Sequence, residues 1–404
     1  MVFRRRAAAV GALAILGCGH PAPPAAPAPA AAPAPTAPPS PASACLIGTS
    51  GVGSRDTLTV IVPQSDSATV ASANDFDTLI RLDCEGRPIP GLASSWTHDS
   101  SGAVWTFVLP GSAAPGALDV ASAWNSSDSA SAVLEVSGVK EAVPADDGKL
   151  VVTLEHPAES VPSIFADRSL GLPHGAASPT IVVRATDGRD PRDLLDTSPD
   201  VLVTGDPNVL DYASKRPGSV LAPLPWDRVY VLLLAPEGRP PSALIPADSS
   251  AFREELARDA VRSEARAAEP PYWWSDLSGC SDSTLRVPIE TGGTSQVTIG
   301  YPASDPVARA LAERIVGLGD SSWFARGLAT HDFETALRGG GMDAYILPLP
   351  RRSLVPCRDA SWPAGAALVP LVETRRTAIL RKDGPALVVG GDGSLRPDTP
   401  SGSP

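Results

Sequence analysis

Ten side chains in this sequence, five cysteines and five histidines, have chemistry strong enough to announce a site by their spacing. The histidines stand at 20, 98, 156, 174 and 331, too scattered to form the paired arrangement on one helix that holds zinc. A Gly-x-Ser-x-Gly nucleophile turn and a phosphate-cradling Gly-x-x-x-x-Gly-Lys loop are both missing from the sequence. Enzymatic activity is therefore not expected, nor is a metal or other cofactor. The cysteines point to thiol chemistry of another kind. Cys18 follows Ile15-Leu16-Gly17, an apolar run behind Arg4, Arg5 and Arg6, which is the pattern of a cleaved export signal ending in a cysteine that receives lipid. Residues 1–17 then form the removed signal, and acyl chains on Cys18 attach the mature chain to a membrane. Cys45, Cys84, Cys280 and Cys357 remain as an even set with no Cys-x-x-Cys spacing, suited to disulfides in an oxidising compartment. Four cysteines allow three connectivities.

Beyond Cys18, Pro21 to Ala44 contain only Pro and Ala apart from Thr36, Ser40 and Ser43. That composition has no large apolar side chain to bury and forms no core. Extended at about 3.1 Å per residue it spans roughly 70 Å, the reach of a stalk between bilayer and folded body. The linker is taken as 18–54. The body that follows is longer than one hydrophobic core usually serves, so two lobes are expected. Acidic residues number 45 against 33 basic, for a formal net charge of −12. A nucleic-acid partner needs a clustered basic surface and is excluded on that balance.

The body reads as α/β. Thr57 to Pro63 is a β-branched run suited to a buried strand, and a short helix leads from there into Ile80. Glu85-Gly86-Arg87-Pro88 is a turn signal, and Val104, Thr106 and Val108 alternate with Trp105, Phe107 and Leu109 as a strand. Gly138 to Leu154 reads as a hairpin turning at Asp146-Asp147-Gly148, with Leu150, Val152 and Leu154 on one face. Further strands are expected at Asp200–Val203, Val229–Leu234 and Val297–Tyr301. Asp305-Pro306 opens a helix with Val307, Leu311, Ile315 and Leu318 on its apolar side.

Phe76 to Leu109, with its ordered Phe-Asp-Thr-Leu, Pro-Gly-Leu-Ala-Ser-Ser-Trp and Trp-Thr-Phe words, resembles the extracytoplasmic solute-binding proteins of the peptide and nickel transporter type, family 5. The hairpin at 138–154, the strand at 200–203, Met342 to Leu347 and Gly391-Asp392-Gly393-Ser394-Leu395 resemble later parts of the same pattern, in the same order. In the family a charged loop follows the Trp-Thr-Phe strand; here Gly111 to Trp124 is shorter. The resemblance implies a two-lobed periplasmic-binding-protein-like fold (type II) with a hinge. A first lobe is expected over 55–240, a second over 241–360, a return to the first over 361–397 and a tail over 398–404. Pairing Cys45 with Cys84 and Cys280 with Cys357 keeps each bridge within one lobe. It further implies a monomer that captures a short peptide or similar small polar solute and presents it to an ABC permease. A relative that no longer transports and acts as an envelope-anchored binding module is the alternative.

Candidate ligand contacts follow from loop position. Tyr272, Trp273 and Trp274 follow two prolines and suit a stacking wall. Asn74 and Asp75, just after the first strand, correspond by the resemblance to the family's first cleft loop. Arg351 and Arg352 follow Leu347-Pro348-Leu349-Pro350 and have the fork geometry for a carboxylate.

Overall fold

The computed structural model describes residues 45–48, 57–63, 66–110, 115–145, 148–173, 180–234, 250–260, 264–275, 297–318, 322–339, 341–355, 366–384 and 386–397. All of them belong to one unit, Thr36–Pro404. Cys18, Cys280 and Cys357 lie outside the described residues.

Thr57–Val62 is an interior strand of a five-stranded sheet ordered Thr180–Ala185, Thr57–Val62, Val201–Thr204, Thr377–Arg381, Ser219–Pro223. The first three strands run parallel, and Thr377–Arg381 is antiparallel to both its neighbours. Successive side chains of a strand point to opposite faces. Leu58, Val60 and Val62 accordingly join one cluster with Val70, while Ile61 joins another with Leu194, Leu195 and Val209. Apolar residues on both faces are what a strand covered on both sides requires.

A four-stranded antiparallel sheet runs Ser95–His98, Val104–Val108, Lys149–Leu154, Val139–Ala145. Its inner face carries Trp105, Phe107, Leu150, Val152 and Leu154, all buried, as the alternation implied. Helices Ala117–Ser126 and Asp128–Val136 contribute Val120, Ala121, Trp124, Ala130 and Val133 to the same core. Trp124 stacks on Phe165, with ring centroids 6.1 Å apart, and its indole N–H donates to the Leu170 carbonyl at 2.8 Å.

The largest sheet has six strands, ordered Ala265–Ala267, Ala367–Thr374, Arg228–Leu234, Ala344–Pro350, Val297–Pro302, Trp323–Leu328. Arg228–Leu234 is interior: Tyr230, Leu232 and Leu234 face a cluster with Leu311 and Ile315 of helix Pro306–Leu318. Val229, Val231 and Leu233 face the opposite cluster, with Trp274, Phe333 and Leu337. Asp305 caps that helix by accepting the N–H groups of Val307 and Ala308 at 3.0 Å, and it also accepts the Tyr230 hydroxyl at 2.9 Å. Burial, and then the Asp305 charge, push the Tyr230 phenol well above its ordinary pKa. Leu318, expected on the apolar side, is 43 % exposed because it is the last residue of the helix.

The first helix departs from expectation. It covers Ser67–Asp75 and stops before Phe76, so Ile80 belongs to strand Ile80–Leu82, paired with Pro88–Pro90. Arg396, far along the chain, accounts for the stop. Its guanidinium donates to the carbonyls of Ala73 (3.3 Å) and Phe76 (2.8 Å) and bonds the Asp77 carboxylate at 2.7 Å. A helix end leaves carbonyls without intrahelical partners, and a cation there satisfies them and complements the dipole.

The turn after Ile80–Leu82 is organised by buried Asp83. Its carboxylate accepts the N–H groups of Glu85 and Arg87, each at 2.9 Å, and pairs with the Arg87 guanidinium at 2.8 Å. Cys84 in that turn is bridged to Cys45, with Cα atoms 5.4 Å apart. The bridge closes a loop between positions 39 apart. A double Cys45→Ala, Cys84→Ala variant is expected to lose about 2–3 kcal/mol by urea denaturation. A loss below about 0.5 kcal/mol would mean that the loop is already ordered without the bridge.

Candidate functional site

Two short segments carry the chain between the five- and six-stranded sheets. Residues 224–227 lead from Ser219–Pro223 into Arg228–Leu234, and Arg375 and Arg376 lead from Ala367–Thr374 into Thr377–Arg381. They lie side by side, with the Leu224 N–H donating to the Arg376 carbonyl at 2.8 Å. Charged side chains gather there. Asp66, 7 % exposed, receives Arg228 at 3.0 Å and also bonds Arg376. Arg376 reaches on to Asp227 at 2.7 Å. Two guanidiniums lie over the Trp226 ring, that of Arg266 at 4.6 Å and that of Arg375 at 4.7 Å from its centroid.

Against these segments lies a cavity of about 770 Å³. One wall is the disulfide-bonded turn, Leu82 and Cys84 to Gly86, and Pro223 to Trp226 form another. Arg266, Pro271, Tyr272, Trp273, Arg375 and the run Arg351 to Leu354 close it, with Ser163 at the edge. Behind the wall, fully buried Glu373 takes Arg266 at 2.6 Å and Arg351 at 2.8 Å. Glu264 takes Arg375 at 2.5 Å. Buried carboxylates need such partners, since an unpaired charge is costly away from water. Arg351 also donates to the carbonyls of Pro271 (2.7 Å) and Glu269 (2.9 Å), which fixes the aromatic loop.

Of the residues singled out in the sequence, Tyr272, Trp273, Arg351 and Arg352 come together in this cavity. Trp273 donates its indole N–H to the Pro350 carbonyl at 2.9 Å. Tyr272 stacks on Trp274 at 4.7 Å, and burial pushes its phenol above the ordinary pKa. Trp274, 8 % exposed, packs beneath the wall with Val229, Val231 and Phe333 and is not part of the lining. Arg351 is occupied by Glu373 and backbone carbonyls, which makes it a support for the wall. Asn74 and Asp75 do not reach the cavity: they end helix Ser67–Asp75, where Asn74 bonds the Val70 carbonyl at 2.8 Å and the Leu395 N–H at 3.3 Å. Asn74 thereby ties the helix end to the C-terminal segment. Trp226, Arg266, Glu373 and Arg375 were not anticipated. For Trp226, Glu373 and Arg375 the only signals are the local words Pro-Trp-Asp-Arg at 225–228 and Glu-Thr-Arg-Arg at 373–376, Arg266 has none, and nothing in the sequence shows that these segments meet.

Among the described residues no helix is long and apolar enough to cross a membrane. No protein-family model matches this sequence, and no curated protein matches it either. Solved structures do match. NikZ from Campylobacter jejuni, in complex with Ni(L-His), is similar with a TM-score of 0.58 at 12 % identity, over 84 % of this chain and 97 % of that one. The dipeptide binding protein from Pseudoalteromonas sp. SM9913, in complex with Met-Leu, is similar with a TM-score of 0.56 at 13 % identity, over 84 % and 98 %. A periplasmic oligopeptide-binding protein from Borrelia burgdorferi gives 0.54 at 11 % identity, over 81 % and 95 %. Identity this low speaks for fold, and function has to come from the site. The resemblance carried by Phe76 to Leu109 therefore holds at the level of architecture: this chain has the fold of the family 5 solute-binding proteins of the peptide and nickel type.

Proposed function

We propose that this protein is an extracytoplasmic solute-binding protein that takes a short peptide or similar small polar solute between two lobes and delivers it to an ABC permease. The cavity against the crossing segments carries this reading. Its volume suits a small solute, and it combines aromatic faces with a few polar groups, the usual make-up of a ligand site. The solved structures of the same fold hold solutes of this size, Ni(L-His) in one and Met-Leu in another. In this reading 224–227 and 375–376 are the hinge, and the acylated Cys18 with its Pro/Ala stalk keeps the lobes near the bilayer. No catalytic step is assigned.

Native mass spectrometry of the protein purified from its own host is expected to show a co-purifying small molecule. Adding that molecule at a hundredfold excess over Kd should stabilise the fold by about 2.7 kcal/mol. Trp273→Ala, which removes part of the aromatic wall, should weaken binding about tenfold. An empty cavity, with no thermal shift against a peptide library, would sink the reading.

A further inference from the structure

We infer that Asp66 is a positioning residue for solute capture: by gripping Arg228 across the boundary between the five- and six-stranded sheets, it holds the arrangement in which the cavity is formed. The inference rests on the reading of 224–227 and 375–376 as a hinge. Arg228 opens strand Arg228–Leu234 and is paired on both sides, to Pro350 and to Thr374, so it moves with the six-stranded sheet. Asp66 lies between strand Thr57–Val62 and helix Ser67–Asp75, whose Val70 packs with Leu58 and Val60, so it moves with the five-stranded sheet. Their ion pair, 3.0 Å long, therefore crosses the boundary that a hinge motion opens. Arg376, in the second crossing, bonds the other Asp66 oxygen and reaches Asp227 in the first. Two carboxylates and two guanidiniums thus join both crossings to the body of the five-stranded sheet.

Local chemistry offers Asp66 a different role, which it does not take. An Asp directly before a helix normally accepts an N–H of the first turn. Asp190 does so from Arg192 at 2.9 Å, and Asp206 from Asn208 at 2.8 Å. Asp66 stands at the same position before helix Ser67–Asp75 and makes no such bond. Both of its oxygens are turned to the two arginines instead. The boundary that this pair crosses also sets the width of the cavity. Cys84 packs on the core of the five-stranded sheet, Tyr272 and Trp273 on one core of the six-stranded sheet, and all three line the cavity. At one edge the walls touch, where the Arg352 guanidinium lies so close over Gly86 that a Cβ there would collide with it. Asp66, Asp227, Arg228 and Arg376 are not among the lining residues. Their influence on a solute has to pass through the spacing of the walls. A solute that binds the formed cavity loses affinity in proportion as that arrangement becomes less populated.

The spacing is read in the full chain by energy transfer between dyes on p-azidophenylalanine placed at Tyr212 and Phe324. These are exposed aromatics on helix Pro207–Ser214, beside the five-stranded sheet, and on strand Trp323–Leu328 of the six-stranded one. Arg228→Gln removes the boundary pair and leaves Asp66 with Arg376, whereas Asp66→Asn weakens both bonds. Each should broaden the distance distribution, and Arg309→Gln, at an exposed pair within one helix, should leave it narrow. Calorimetry with the dipeptide Met-Leu as probe should show Kd raised about tenfold in Arg228→Gln, the loss expected when the formed arrangement falls to about a tenth of the population. The double variant Asp66→Asn, Arg228→Gln should bind no more weakly than Asp66→Asn alone, as coupled partners do. Distances unchanged in both single variants, with stability to urea lowered, would make Asp66 a support within its own sheet and overturn the inference. Broadened distances with Met-Leu affinity unchanged would break the link from the pair to the solute and overturn it too. Broadened distances in a chain that does not bind Met-Leu at all would support the grip of Asp66 on the hinge and tell against the cavity as a peptide site.

Discussion

Replacing Glu373 by Gln is expected to destabilise the folded chain by about 3 kcal/mol. The carboxylate is 0 % exposed and is shared by Arg266 and Arg351, whose side chains are 41 % and 19 % exposed. Removing one member of a buried ionic group leaves the other charges uncompensated, at a cost of about 3–5 kcal/mol. Water around Arg266 screens part of that, so the lower end of the range applies. The consequence is also local. Arg351 ties down the carbonyls of Glu269 and Pro271, so the loop bearing Tyr272 and Trp273 should loosen with it. Urea denaturation reports the global loss, and amide exchange at Ala268 and Ser275 reports the loop. A loss under about 1 kcal/mol, with exchange unchanged, would show that the network behaves as a screened surface array.

Trp124→Ala should cost about 3–5 kcal/mol, as large-to-small changes in a packed core do. The side chain is 2 % exposed, stacks on Phe165 and packs in the cluster with Phe107, Leu150 and Val152. Its indole also holds the Leu170 carbonyl, which ties the helix to the segment leading to Leu172–Pro173. Trp124→Phe separates the two contributions: it keeps most of the ring and should lose about 1–2 kcal/mol through the unmade hydrogen bond. The urea midpoint should shift with an unchanged m-value. Equal losses in the two variants would place the whole effect in the hydrogen bond.

Most elements were legible in the sequence because their signals are local. Alternation exposed Val104–Val108 and the hairpin strands Val139–Ala145 and Lys149–Leu154, and Asp305-Pro306 announced a capped helix. Of the bridges implied by the lobes, Cys45–Cys84 is present. Errors arose where a distant residue intervened. The helix before Phe76 ends where Arg396 meets its carbonyls, from more than three hundred positions away. The sheet membership of Arg228–Leu234 and Ala367–Thr374, which fall within the ranges 55–240 and 361–397, depends on their pairing with each other.

The candidate site divides in the same manner. Two adjacent arginines and three adjacent aromatics were visible as words, but neighbours in a chain have different fates once it folds. Trp273 lines the cavity while Trp274 goes into the core; Arg351 is bound by Glu373 while Arg352 is seated over Gly86. By itself the sequence determined the α/β class, the turn at Gly86 and the likeness to family 5, since periodicity and turn chemistry need only near neighbours. Which side chains line the cavity, and which of its arginines are paired with Glu264 and Glu373, was decided by tertiary structure. A charge is compensated only by partners within a few ångströms, and the chain brings Glu264 to Arg375 and Arg266 to Glu373 only when strand Ala265–Ala267 pairs with strand Ala367–Thr374.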